Sequence, residues 1–130
     1  MKIQLKRAYE PAEDTDGLRI LVDRMWPRGI KKTDLPYDIW AKDVTPTIEL
    51  RRFFHDNPYG NWEEFSRRYK DQLMHSEALD KLAAYIRDGH FDTVTLLYGF
   101  RNPIKNHAAV LRQALLERIQ GAPLSPTPSK

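Results

Sequence analysis

Two short apolar runs rich in branched residues, Leu18-Arg19-Ile20-Leu21-Val22 and Thr93-Val94-Thr95-Leu96-Leu97-Tyr98, constrain this chain most. Each has the length of a strand and lacks clean alternation, as expected of strands buried on both faces. The long stretch between them carries helical patterns, and a crossover that holds helices favours parallel pairing. The expected fold is α/β, a small single domain with a mainly parallel sheet and helices packed on it. Residues 2–9 alternate roughly between polar and apolar and read as a further strand with one face near solvent.

The helices announce themselves by caps and stripes. Thr45-Pro46 reads as an N-cap followed by proline at the first helical position, with Leu50, Phe53 and Phe54 facing inward and Asn57-Pro58 as the stop. Asn61 and Glu64 have capping-box spacing. At about 100° per residue, Trp62, Phe65, Tyr69 and Leu73 fall within an arc of about 80°. A third helix is predicted over 76–88, ended by Gly89. The last is expected to begin at Asn102 as N-cap with Pro103 next, because Ile104, Ala108, Leu111 and Leu115 then form one stripe that a start at Asn106 would cut short. The domain is expected over residues 1–120. Residues 121–130, with Pro123, Pro126 and Pro128, read as a flexible tail.

Composition excludes several classes. A chain of 130 residues can bury roughly two-thirds of its unfolded surface, so no staple is needed. Cysteine is absent, which removes disulfides, thiolate nucleophiles and cysteine-based metal sites. Two histidines with a third ligand at zinc spacing are missing, as are a Gly-rich phosphate loop, a nucleophile elbow and a dinucleotide fingerprint. No run approaches the ~20 apolar residues of a membrane span, and no signal-peptide core follows Met1, so a cytoplasmic location and no membrane partner are expected. The formal charge of +3 permits anionic partners without marking a nucleic-acid binder. The cofactor is left open.

In open α/β sheets, ligands collect beyond the carboxyl ends of parallel strands. Two loops leave such ends here, 23–32 and 99–102. If the strands are parallel, Arg24, Arg28, Lys32 and Arg101 converge on one anion, helped by free N–H groups at a helix start. The alternative is that these cations are solvated or pair with Asp23 and nearby acids. Trp26 is either a structural plug or a stacking platform for a base. Arg51 and His55, four apart, share the edge of an apolar stripe, and Arg68 flanks Phe65. Tyr98 ends a central strand, and His107 lies near the start of the last helix. His107 and His55 are the candidates for general acid or base, against the alternative of packed, hydrogen-bonded histidines.

These residues point to a phosphate- or carboxylate-bearing small molecule held by Arg24, Trp26, Arg28, Lys32, Arg51, Arg68, Tyr98 and Arg101, with turnover left open. The alternative is a nucleic-acid-binding or regulatory module using the basic loop 24–32, its affinity falling steeply with salt. A third reading makes the arginines counter-ions of buried acids such as Asp23, Asp43 and Asp56.

Val22-Asp23-Arg24-Met25-Trp26-Pro27-Arg28-Gly29, then Trp40, then Leu50-Arg51-Arg52-Phe53-Phe54-His55-Asp56, resemble the signature of the YeaO-like proteins, a branch of the domain-of-unknown-function family 488. Trp62, Phe65, Arg68-Tyr69, Leu96-Leu97-Tyr98 and Asn106-His107-Ala108 match as well, so the resemblance covers roughly residues 3–117. It implies a small cytoplasmic α/β fold and brings no established activity. Where that family commonly has a Lys-Asp pair, this chain has Arg101-Asn102. Asparagine caps helices about as well as aspartate but exchanges no proton near neutrality, so a capping role is expected at 102.

Overall fold

The computed structural model describes residues 1–121. The two apolar runs become β2 (Leu18–Leu21) and β4 (Thr93–Tyr98), which pair directly and parallel, with Leu18 opposite Val94 and Leu21 opposite Leu97. The amide of Val22 continues the ladder by donating to the Leu97 carbonyl at 2.9 Å. β1 (Lys2–Arg7) lies on the other side of β4, and a two-residue strand, β3 (Ile39–Trp40), lies outside β2. All four strands are parallel, in the order β1-β4-β2-β3. β3 was not expected, since two residues carry no periodicity.

Four helices follow the stripes: α1 (Ile48–Asp56), α2 (Trp62–Met74), α3 (Glu77–Asp88) and α4 (His107–Gly121). Phe54, Phe65, Tyr69, Leu73, Leu79, Ile86, Leu111 and Leu115 bury their side chains against Ile3, Ile20, Val94 and Leu96, which face one side of the sheet. Leu21 and Leu97, one residue out of phase, face the other side. There Trp26, Ile30, Leu35 and Trp40 of the 22–40 stretch cover them, in place of a helix. The polar end of that second face holds a buried ion cluster. Asp16 pairs with Lys6 (3.0 Å) and Arg19, while Lys6 also meets Glu13 at 2.7 Å. Burial alone would raise the Asp16 carboxyl; hydrogen bonds from the Glu13 amide, Lys6 and Arg19 outweigh it and hold the group below its ordinary value. Gly17, at φ 63°, turns the chain into β2 so close to β4 that a Cβ would lie 2.1 Å from the Thr93 carbonyl oxygen.

Two helix starts differ from expectation, and α2 begins after Asn61 as expected but without the capping box. Thr47, not Thr45, caps α1, accepting from the Leu50 amide at 3.2 Å; the Thr45 hydroxyl donates to the Lys42 carbonyl. Asn61 makes no side-chain cap. Its amide donates to the Phe53 carbonyl, and Glu64 pairs with Arg67 and Arg68. Asn102 accepts from the amides of Ile104 and Lys105, closing an isolated turn, and Asn106 caps α4 by accepting from Ala109 at 2.9 Å. The stripe misled because Ile104 is 75% exposed and belongs to no core. Gly121, expected to open the tail, still belongs to α4; the remainder of that expected tail lies outside the described residues.

Candidate functional site

Parallel pairing sends the ends of β1, β2 and β4 to one edge of the sheet, where their loops meet α1 and the start of α4. A cleft of about 930 Å³ opens there. Of the residues singled out from sequence, Arg24, Trp26, Arg28, Arg51, His55, Arg101 and His107 line it. Three others do not. The exposed Lys32 lies outside. Arg68 pairs with Glu64 at 2.6 Å and packs over the Phe53 ring. Tyr98 is in the core, where burial pushes its hydroxyl above the ordinary value.

The cations of the cleft differ in how they are held. Half-buried Arg24 donates Nε to the Pro46 carbonyl at 3.2 Å, which anchors the guanidinium, and its other donors have no partner among the described residues. Arg7, at the end of β1, donates to the carbonyls of Gly99 (3.1 Å) and Phe100 (3.2 Å) and packs over Tyr9. No ion pair engages Arg7, Arg24, Arg28, Arg51, Arg101 or Lys105 among the described residues. Trp26 does serve as a plug. Its indole N–H donates to the Ile30 carbonyl at 2.7 Å, and its ring meets Tyr37 and Trp40 edge-on, while one side reaches the cleft.

Asp23 is the one acid on the lining. Its Oδ2 accepts the Gly99 amide at 2.8 Å, and its backbone carbonyl accepts the Trp40 indole at 2.7 Å. Its Oδ1 lies 3.0 Å from His107 Nε2, which is also 3.0 Å from the Val22 carbonyl oxygen. Both neighbours are acceptors, so Nε2 carries a hydrogen in either charge state. That hydrogen is aligned with Val22, and Oδ1 is sealed from solvent without a well-aligned partner, so its hold on the ring is electrostatic. His107 Nδ1 has no partner among the described residues and is not sealed from solvent. It is the free nitrogen.

His55 sits exposed at the rim, its ring 5.4 Å from Phe100 and 5.8 Å from Phe54. Partial loss of hydration, then the charges of Arg51 and His107, lower its pKa, and Asp23 and Asp56 offset this in part. Among the described residues no arginine pairs with Asp23, Asp43 or Asp56; Asp16 is the buried acid there, paired with Lys6 and Arg19 and not part of the cleft lining. Sequence reasoning missed Arg7, Tyr9, Phe100 and Lys105. The end of β1 was the available signal for Arg7, since a third parallel strand must finish on the same edge. Among the described residues no His, Asp and Glu cluster suits a metal ion, and no helix is long and apolar enough to cross a membrane.

The family model described as "Inactive DUF488-N3 subclade" matches residues 2–129. The chain is 49% identical over 111 residues to the uncharacterized protein YeaO of Escherichia coli, covering 85% of this chain and 94% of that protein. It is 40% identical over 114 residues to the uncharacterized proteins Mb3100c of Mycobacterium bovis and Rv3073c of Mycobacterium tuberculosis, covering 88% of this chain and 93% of each. No solved structure matches the chain significantly. The signature around Trp26, the helix that carries Arg51 and His55, and the pair Asn106-His107 thus sit in a chain that belongs to the YeaO-like DUF488-N3 family, in the subclade described as inactive.

Proposed function

We propose that this protein binds a small anionic molecule, one bearing phosphate or carboxylate groups, in the cleft at the carboxyl edge of its sheet. The observation that carries the reading is charge. Six cations (Arg7, Arg24, Arg28, Arg51, Arg101 and Lys105) line the cleft against one acid, Asp23, which already holds the Gly99 amide and faces His107. Uncompensated cations crowded into a concave site raise its potential and favour an anion there. The binding role falls to Arg24, Arg28, Arg51 and Arg101, with His107 Nδ1 and His55 as neighbouring contacts. The description of the subclade as inactive agrees with binding rather than turnover. A nucleic-acid module built on loop 24–32 has less support, because Trp26 is engaged by Ile30, Tyr37 and Trp40.

Thermal denaturation with inorganic phosphate tests the reading. A ligand that binds only the folded state stabilises by about 2.7 kcal/mol at 100 times its Kd. A concentration-dependent rise in Tm, reduced in Arg51→Met, is expected. An equal rise in both proteins would mean that phosphate acts through general salting effects and not at the cleft.

A further inference from the structure

Resting on the anion-binding reading, we infer that the ligand is a nucleoside phosphate, with its phosphates at the arginines and its base against the aromatic wall that Phe100 and His55 form. Charge excess comes first. Six lining cations less one carboxylate give +5, whereas the whole chain carries +3, so the remainder of the molecule sums to −2. A concentration of charge that exceeds the total suits a polyanion better than a single carboxylate.

Size comes next. The cleft, about 930 Å³, lies near the top of the ~300–1,000 Å³ of small-molecule sites, and a lone phosphate would leave most of it empty. The rest of the ligand must match walls that are aromatic. Phe100 lies 4.8 Å from Phe54 and 5.4 Å from His55, centroid to centroid, and Tyr59, 83% exposed, stands at the lip. The aromatic and cationic parts are tied together, since Arg7 donates to the Phe100 carbonyl while its guanidinium covers Tyr9.

Two of the uncharged polar side chains on the lining are already partly engaged. Asn102 accepts from Ile104 and Lys105, and the Tyr9 hydroxyl donates to the Arg28 carbonyl at 2.8 Å. The half-buried Phe100 ring lies on the lining, and a base stacks on an aromatic ring whatever its sequence identity.

Calorimetric titration of the full chain separates the parts of the ligand. The probes are pyrophosphate, ribose 5-phosphate and the four common nucleoside diphosphates. The tightest nucleoside diphosphate is expected to bind at least about tenfold more tightly than pyrophosphate or ribose 5-phosphate, the usual worth of one stacked base. Phe100→Leu, which keeps apolar bulk but loses the flat face, is expected to reduce that advantage while leaving pyrophosphate unchanged. If pyrophosphate matches every nucleoside diphosphate, the base-binding wall is wrong and the anion site stands. If no phosphorylated probe binds, the anion site itself fails and this inference with it.

Discussion

Nε2 of His107 lies 3.0 Å from Oδ1 of Asp23, so the first residue of α4 is fastened to the loop that leaves β2. Through Oδ2 the same carboxylate holds the Gly99 amide, at the start of the loop that leaves β4. One side chain therefore sets the relative positions of three segments around the cleft. Gly99 is part of the device, since a Cβ there would stand 2.9 Å from Asp23 Oδ2.

Asp23→Ala removes the acceptor for Gly99 and the negative partner of His107 together. Leaving the Gly99 amide unpaired costs about 1–3 kcal/mol, while the His107 ring keeps its bond to the Val22 carbonyl. Asp23→Asn still accepts from Gly99 but turns a neutral amide toward the ring, so its loss should be smaller. Urea unfolding at neutral pH measures both. Wild-type stability in both variants would show that the clasp contributes nothing.

Two kinds of cation should respond oppositely to replacement by methionine. Arg19 meets the buried Asp16, and removing one partner of a buried pair costs on the order of 3 kcal/mol. Arg51 has no ion pair among the described residues and stands among like charges, so Arg51→Met is expected to leave stability within about 0.5 kcal/mol or raise it. Chemical denaturation compares them; a loss at Arg51 equal to that at Arg19 would make Arg51 a structural counter-ion.

His55 couples the cleft to pH. Its folded pKa lies below its ordinary value of 6.5, chiefly through lost hydration and then through Arg51 and His107. In that window the unfolded chain binds more protons, so stability falls as pH drops from above 6.5 through the folded pKa. His55→Gln should lose this contribution to the slope. An anion bound beside the ring raises the pKa again, so binding takes up protons and tightens with acidification. Calorimetry in buffers of different ionisation enthalpy reads the uptake directly, and a value of zero in the wild type would contradict it.

The start of α4 is tested by its caps. Asn106 is fully buried and accepts from Ala109, so Asn106→Ala should cost about 1–2 kcal/mol. Asn102→Ala loses only an exposed turn and should cost less. The reverse order, read from thermal melts, would restore the earlier helix start.

Most of the sheet was legible because Leu18–Val22 and Thr93–Tyr98 are mostly apolar without alternation, the pattern of strands buried on both faces. The shared edge followed, and with it the meeting of Arg24, Arg28, Arg51, Arg101 and His107. Caps were harder to place. Thr45 and Thr47, like Asn102 and Asn106, are chemically equivalent candidates two to four residues apart, and only tertiary packing chooses between them. Lys32 and Arg68 were indistinguishable from lining cations by type and spacing; what separates them is a neighbour such as Glu64, or the position of a loop that carries no periodic signal. Asp23 was visible only as a counter-ion, because its partner Gly99 lies 76 residues away in sequence.

The central claim is that the cleft's unpaired guanidinium groups hold an anion. Side-chain Nε–H resonances of the arginines, followed by NMR while pyrophosphate is added, test it most directly. Saturable shifts at Arg24, Arg28, Arg51 and Arg101, with Arg19 and Arg68 unmoved, are expected. Shifts that never saturate, or that spread equally over all six, would contradict it.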